Sequence, residues 1–305
     1  MKRIINILYF ILIPLNVFGQ LTPVTDHYIL NPLSINPAFA GTSGALNIAA
    51  FYSRKWTGIT GSPETMTLSI DAPLRGNKVG LGFIIINDNI GVTKEMHYSS
   101  NYAFKISMGE STLSLGLGAG VITTNTAWSD LVALDPGDEF SLIDSRVFVV
   151  PNFSFGMYYS FKNYFAGFSV PKILSYKFDF DKNKYGLVND PGLYSYMFST
   201  GYLFNSNPDF GFFPSTLLTY TVGNKLLYDI NVHFNFKNRF WLGTSYRNDR
   251  SVAGIFQLQI NSQFKIAYTH DFDLGNVWKY SNGSNEIMLR YEFHYKVDVV
   301  NPLVF

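Results

Sequence analysis

Residues 285–296 read NEIMLRYEFHYK, and the order of these side chains decides the fold. Odd positions carry Ile287, Leu289, Tyr291, Phe293 and Tyr295, while Met288, Arg290, Glu292, His294 and Lys296 fill the even ones. Successive side chains of an extended strand point to opposite faces, so this stretch has one apolar face and one that is mostly charged. The alternation returns in LYDINVHFNF (227–236), where Tyr228, Ile230, Val232, Phe234 and Phe236 oppose Asp229, Asn231, His233 and Asn235. Residues 263–269 set Phe264, Ile266 and Tyr268 against Lys265 and Thr269. Residues 194–202 set Tyr194, Tyr196, Phe198 and Tyr202 against Ser195 and Ser199. Two-faced strands of about ten residues suit a transmembrane β-barrel, apolar toward lipid and polar toward its lumen.

Composition agrees. The 305 residues include 28 Phe, 20 Tyr and 4 Trp, so aromatics make up 17% of the chain and charged residues only 15%. Soluble domains carry about 25% charged residues. A soluble β-sandwich would have to hide more aromatic surface than its polar faces could cover. The formal charge of +1 gives no reason to expect nucleic acid as a partner. With no cysteine, the chain has no disulfide, thiolate metal site, cysteine nucleophile or lipidated cysteine.

Residues 1–19 have the form of a secretory signal peptide. Lys2 and Arg3 precede an apolar run from Ile4 to Val17, and Val17 and Gly19 are small residues just before Gln20. The run falls short of the ~20 residues that span a bilayer, and Pro14 breaks it. Fourteen strands are predicted beyond it: 44–54, 64–72, 78–87, 94–107, 112–124, 147–160, 163–171, 192–204, 211–222, 227–236, 238–247, 250–260, 263–271 and 285–297. The turns after even-numbered strands are short. The long connections 55–63, 125–146, 172–191 and 272–284 all follow odd-numbered ones. Outer-membrane barrels alternate short periplasmic turns with long external loops, so a periplasmic N-terminus puts every long loop outside the cell. Trp56, Trp128 and Trp278 lie in or beside long loops and Trp241 near a short turn, where aromatic girdles form. Residues 44–305 are therefore expected to form one barrel domain, all-β and antiparallel.

Residues 20–43 fit no strand. Their core, NPLSINPAFAG (31–41), holds two Asn-Pro steps. Such steps favour turns, and each proline confines its predecessor to extended geometry. Irregular backbone at membrane depth is tolerated only where protein buries it or a cavity encloses it. The segment is thus predicted to enter the barrel mouth as a plug, with Asn31, Pro32, Asn36, Pro37, Ala38 and Gly41 as its motif. Its role is either structural alone or extends to gating or ligand contact.

Catalytic patterns are weak. His27, His97, His233, His270 and His294 are scattered, without metal-ligand spacing. His270 shares the outer face of Phe264, Ile266 and Tyr268 and reads as a girdle residue rather than part of a lipase site. FDFDKNKYGL (178–187) places Asp179, Asp181 and Asn183 at alternate positions. It lacks the glycine of a calcium loop, and Asp190 stands where the bidentate glutamate belongs. LGLGAG (115–120) has no following helix or lysine to make it a phosphate loop, and its small residues suit a tightly curved strand. No enzyme activity, metal or cofactor is expected.

The N-terminal box Asp26, Tyr28, Asn31, Pro32, Asn36, Pro37, Ala38, Ala40, Gly41 is followed by Tyr52 and Trp56. Next comes GSPETMTLSIDAPL, with Gly61, Pro63, Thr65, Ser69, Asp71, Pro73 and Leu74. Trp241, Gly243, Ser245, Tyr246, Arg247 and GSNEIMLRY (283–291) complete the series. In this order and spacing the chain resembles the PorP/SprF family of outer-membrane proteins, found with the type IX secretion system of the Bacteroidetes. It departs from the family at Ser53 and Lys55, where Arg and Gln are usual, and at Asn285, where His is common.

The resemblance implies an accessory component of the secretion machinery. Such proteins are associated with export and surface attachment of large adhesins bearing a type B C-terminal domain, with gliding motility in some species, and with periplasmic ring components. The candidate partner contacts are Tyr52, Trp56, Trp128, Asp130, Asp135, Asp138, Glu139, Tyr185 and Asp190, acidic and aromatic groups suited to a protein interface. The alternative is a FadL-like channel for a small hydrophobic compound, since those channels carry a similar N-P-A element. A channel needs a continuous apolar path, and the polar inward rows around Arg290 and Asp229 favour the accessory role.

Overall fold

A computed structural model describes residues 28–74, 76–130, 144–179, 184–207, 209–249 and 251–293. The signal sequence and residues 20–27 lie outside the described residues. The strands are β1 (Leu46–Arg54), β2 (Glu64–Leu74), β3 (Val79–Ile90), β4 (Thr93–Met108), β5 (Ser111–Thr126), β6 (Phe148–Phe161), β7 (Tyr164–Val170), β8 (Ser175–Asp179) and β9 (Lys184–Val188). Beyond them run β10 (Ser195–Tyr202), β11 (Phe204–Asn207), β12 (Phe210–Thr221), β13 (Leu227–Phe236), β14 (Phe240–Arg247), β15 (Ser251–Gln259), β16 (Phe264–Asp273) and β17 (Ser284–Phe293).

All but β8 and β9 belong to one antiparallel ring. Each strand pairs with its neighbours in sequence, and β10 and β11 are two parts of one stave, both paired to β12. The ring closes where β1 pairs with β17, from Leu46 opposite Phe293 to Arg54 opposite Asn285. This is the 14-stave barrel that the alternation predicts. Closure leaves neither β1 nor β17 with an open sheet edge, a necessity where no water is present to satisfy one.

The two faces separate sharply. Along β13, Asp229 is 5% exposed, Asn231 4% and His233 4%, whereas Ile230 is 51%, Phe234 38% and Phe236 39% exposed. The exposed apolar row is the lipid-facing side, and the polar row lines the interior. Ion pairs form within the interior, Arg247 Nε to Asp229 Oδ1 at 2.5 Å and Lys265 Nζ to Glu292 Oε1 at 2.9 Å.

Three departures from the sequence reading have local causes. The predicted connection between the third and fourth strands shrinks to Gly91 and Val92, because Ile90 still pairs with Thr93 and Gly91 takes φ +58. The predicted strand 192–204 starts later and breaks at Leu203, whose N–H turns to the Asn163 carbonyl at 2.9 Å. Pro214 of β12, which has no N–H to give, stands opposite that break. Finally, the long connection 172–191 contains a hairpin of its own, β8 paired with β9.

Candidate functional site

Residues 28–45 run inside the barrel and form no strand. Each Asn-Pro step opens a 3-10 turn, Pro32–Ser34 and Pro37–Phe39, with proline in the position where its fixed φ and missing N–H cost nothing. Asn36 is extended, and its Oδ1 accepts the Ala38 N–H at 2.9 Å, capping the second turn. The other end of the same amide donates to the wall, to the Met157 carbonyl of β6 at 3.0 Å and the Phe168 carbonyl of β7 at 3.5 Å. At the first turn, Ser34 Oγ donates to the Asn31 carbonyl at 2.7 Å.

Charged side chains clamp the segment's backbone at both ends. Gly41 donates its N–H to Asp71 Oδ2 at 2.8 Å, and its carbonyl accepts from Lys105 Nζ. Lys105 also donates to Asn77 Oδ1 at 2.9 Å. Gly41 has φ +64, and a Cβ there would lie 2.8 Å from the Ala72 carbonyl, so only glycine fits. Arg290 of β17 donates to the Leu30 carbonyl. Tyr28 Oη donates to Ser215 Oγ at 3.3 Å and accepts from Asn231 Nδ2 at 3.4 Å. Burial pushes its phenol pKa up, with the nearby Asp229 charge adding to the effect.

Between the clamps the segment packs through apolar contacts. Leu30 meets Ala49, Phe51, Ala267 and Met288; Ile35 meets Met197 and Leu217; Leu33 and Ala40 meet Ile84 and Ala103. These wall residues sit in the inward, otherwise polar rows. Gly116 has a related reason: a Cβ there would come 2.1 Å from the Ala38 nitrogen. Its smallness, which the sequence assigns to strand curvature, admits the segment's backbone.

The segment divides the interior. Toward the long-loop end, a space of about 80 Å3 remains beside His97, Asn101 and Asn152. Toward the short-turn end, a cavity of about 420 Å3 lies beneath Tyr28, Leu30 and Phe39. Trp241 lines this cavity and points inward, away from the outer girdle where the sequence reading places it.

The long-loop end carries most of the candidate partner contacts among the described residues, though they come from separate loops. Trp56 follows β1 in the left-handed region (φ +46), its N–H held by Ser284 Oγ at 3.2 Å. Trp128 and the exposed Asp130 form a 3-10 turn after β5, and Asp190 caps the turn at Pro191–Leu193, accepting from the Gly192 N–H at 2.8 Å. Tyr52 stands apart, on the outward face of β1. Tyr185 lies on β9, and Asp135, Asp138 and Glu139 fall outside the described residues, as do Asp181 and Asn183 of the calcium-like run.

Sequence reasoning missed a latch at this rim. Tyr176 of β8 donates to Glu95 of β4, whose carboxylate also meets His97 Nε2 at 3.2 Å. The Lys172 ammonium lies 4.5 Å from the Tyr176 ring centre, and burial pushes its pKa down. Outside the wall, His270 Nδ1 meets Asn285 Oδ1 at 2.9 Å and its ring packs edge-on against Phe272, as a girdle residue does.

A family model described as "Type IX secretion system membrane protein PorP/SprF" matches residues 17–291. The chain belongs to the PorP/SprF family. Two elements of the family pattern are physically joined here, since Gly41 of the first box hydrogen-bonds Asp71 of the second. Among curated proteins no relative matches.

Solved barrels share the fold. The Ralstonia pickettii toluene transporter TbuX superposes with a TM-score of 0.51 at 8% identity, covering 85% of this chain and 92% of its own. The CymD monoaromatic hydrocarbon channel gives 0.51 at 9%, covering 91% and 95%. Omp33 of Acinetobacter baumannii gives 0.50 at 8%, covering 82% and 98%. At such identities the likeness speaks for the fold alone. Barrel and family together make this PorP/SprF protein an outer-membrane component of type IX secretion.

Proposed function

We propose that this PorP/SprF protein is a sealed, non-catalytic barrel that docks secreted cargo at its long-loop rim and anchors it to the cell surface. The cargo would be an adhesin carrying a type B C-terminal domain, with a link to gliding motility. In this arrangement the N-terminal segment is a plug on the periplasmic side, and the periplasmic ring meets the short-turn end. The observation that carries the reading is the double clamp on the segment, Lys105 and Asp71 at Gly41 and Arg290 at Leu30. A segment held by charged bonds at both ends suits a fixed closure rather than a gate in steady use. The rim supplies aromatic and acidic groups of the kind that interfaces favour, Trp56, Trp128, Asp130 and Asp190.

Photo-crosslinking from Trp128 and Asp130, followed by purification from native membranes, tests the docking. Recovery of an adhesin C-terminal domain on the crosslinked rim is expected. Recovery of a bound small molecule, with no protein on the rim, would sink the docking model. A second reading, a channel for a small hydrophobic compound, draws on the cavity of about 420 Å3 and on the shared fold with the toluene transporter TbuX and the monoaromatic hydrocarbon channel CymD. Toluene flux into liposomes carrying the purified barrel would favour that reading.

A further inference from the structure

The short-turn cavity has a chemistry that neither closure nor cargo docking requires. Lumen walls in this protein are mostly polar, yet one side of this cavity is a continuous arc of rings. Phe39 of the segment meets Tyr158 edge-on at 5.3 Å, Tyr158 stacks on Phe165 at 5.8 Å, Phe165 lies 6.1 Å from Phe213, and Phe213 lies 6.3 Å from His233. The arc follows β6, β7, β12 and β13 around the wall. Arg290 lines the cavity from β17, which the ring order β7, β10, β12, β13, β14, β15, β16, β17 places across the lumen from β7.

A cavity of about 420 Å3 is in the range that holds small ligands, commonly about 300–1,000 Å3. Rings on one side and a guanidinium on the other suit a molecule with an apolar or aromatic body and one anionic head. The geometry points to a binding site for a small amphipathic carboxylate, its body on the Tyr158–Phe165–Phe213 arc and its carboxylate on Arg290. A guanidinium offers five N–H donors and pairs carboxylates in a fork, so one bond to the Leu30 carbonyl leaves donors for the ligand. The same side chain would then hold ligand and segment together, so an occupant would brace the closure from beneath. Entry is from the short-turn end, where Lys162 and Asn163 stand at the cavity rim. The inference does not depend on cargo docking, and it differs from a channel in requiring binding without passage.

Two sources offer this chemistry, a lipid-derived acid and a soluble aromatic acid. The full-length barrel in nanodiscs would be titrated with decanoate, 4-phenylbutyrate and the neutral control decanol, read by calorimetry. One saturable site per barrel is expected for at least one carboxylate, and preference between the two assigns the source. Arg290→Gln should weaken the carboxylate at least tenfold and decanol less than threefold. Ser160→Trp and Gln257→Trp, which fill the cavity from different sides and leave Arg290 in place, should each abolish binding in any variant that keeps the heat-modifiable gel mobility of a folded barrel. No saturable binding to the wild-type barrel would overturn the proposal. Unchanged binding in a folded cavity-filled variant would overturn it too.

Discussion

At Gly41 a single residue is held through both of its backbone polar groups, an arrangement that makes it sensitive to two distant strands. Asp71 takes its N–H and Lys105 its carbonyl. Removing a charged partner from a buried bond costs about 1–3 kcal/mol, because the group left behind loses its solvation as well. Asp71→Ala should therefore lower unfolding stability by about that amount in urea titration while the barrel still closes. Tyr28 provides a pH readout at the other end of the segment. Burial raises its folded-state pKa above the ordinary value, so its contribution is fully present below pH 10 and is lost as pH rises beyond that. Between about pH 9 and pH 11 the wild-type barrel should lose more stability than Tyr28→Phe, which has no phenol to titrate. Equal losses would show that Tyr28 does not titrate in this range.

Among the elements, alternation along the strands revealed the staves because a lipid-facing wall leaves each side chain only two environments. Loop parity then gave an independent check on their number, and the structure agrees. The exceptions within the rows were harder to read. Met288 and Phe51 sit among polar inward residues because Leu30 packs on them, and Gly116 is small because Ala38 approaches it. An apolar residue in a lumen-facing register was therefore a legible sign of something inside. The motif NPLSINPAFAG signalled the irregular segment, but its clamps come from Lys105 and Arg290, remote in sequence. The β8–β9 hairpin escaped notice because its strands have five residues each, too few to establish a period. A lone two-stranded hairpin is marginally stable in water, so its contacts with the wall matter. Tyr176→Phe removes the hydroxyl that reaches Glu95. Limited proteolysis within residues 171–194 should then accelerate several-fold, with the staves unaffected.

For the whole molecule, closure of the wall and the plugging proposed for the interior segment should be separable. The hydrogen-bonded pairings of the wall, the β1–β17 seam included, contain no residue of the interior segment. Deleting residues 28–41 should leave a folded, heat-modifiable barrel that conducts ions steadily in planar bilayers, while the intact protein stays silent. Gly116→Val should give an intermediate result, since its side chain would displace Ala38 without removing either clamp. The bond from Arg290 to Leu30 has one more consequence, for the order of assembly. Its partners are 260 residues apart. A chain emerging from its N-terminus must carry Leu30 without that cation until the last stave arrives. Sealing the wall and fastening its contents thus become one late event in biogenesis, and a barrel that had not received its final strand would also lack one of the two fastenings that hold the segment inside.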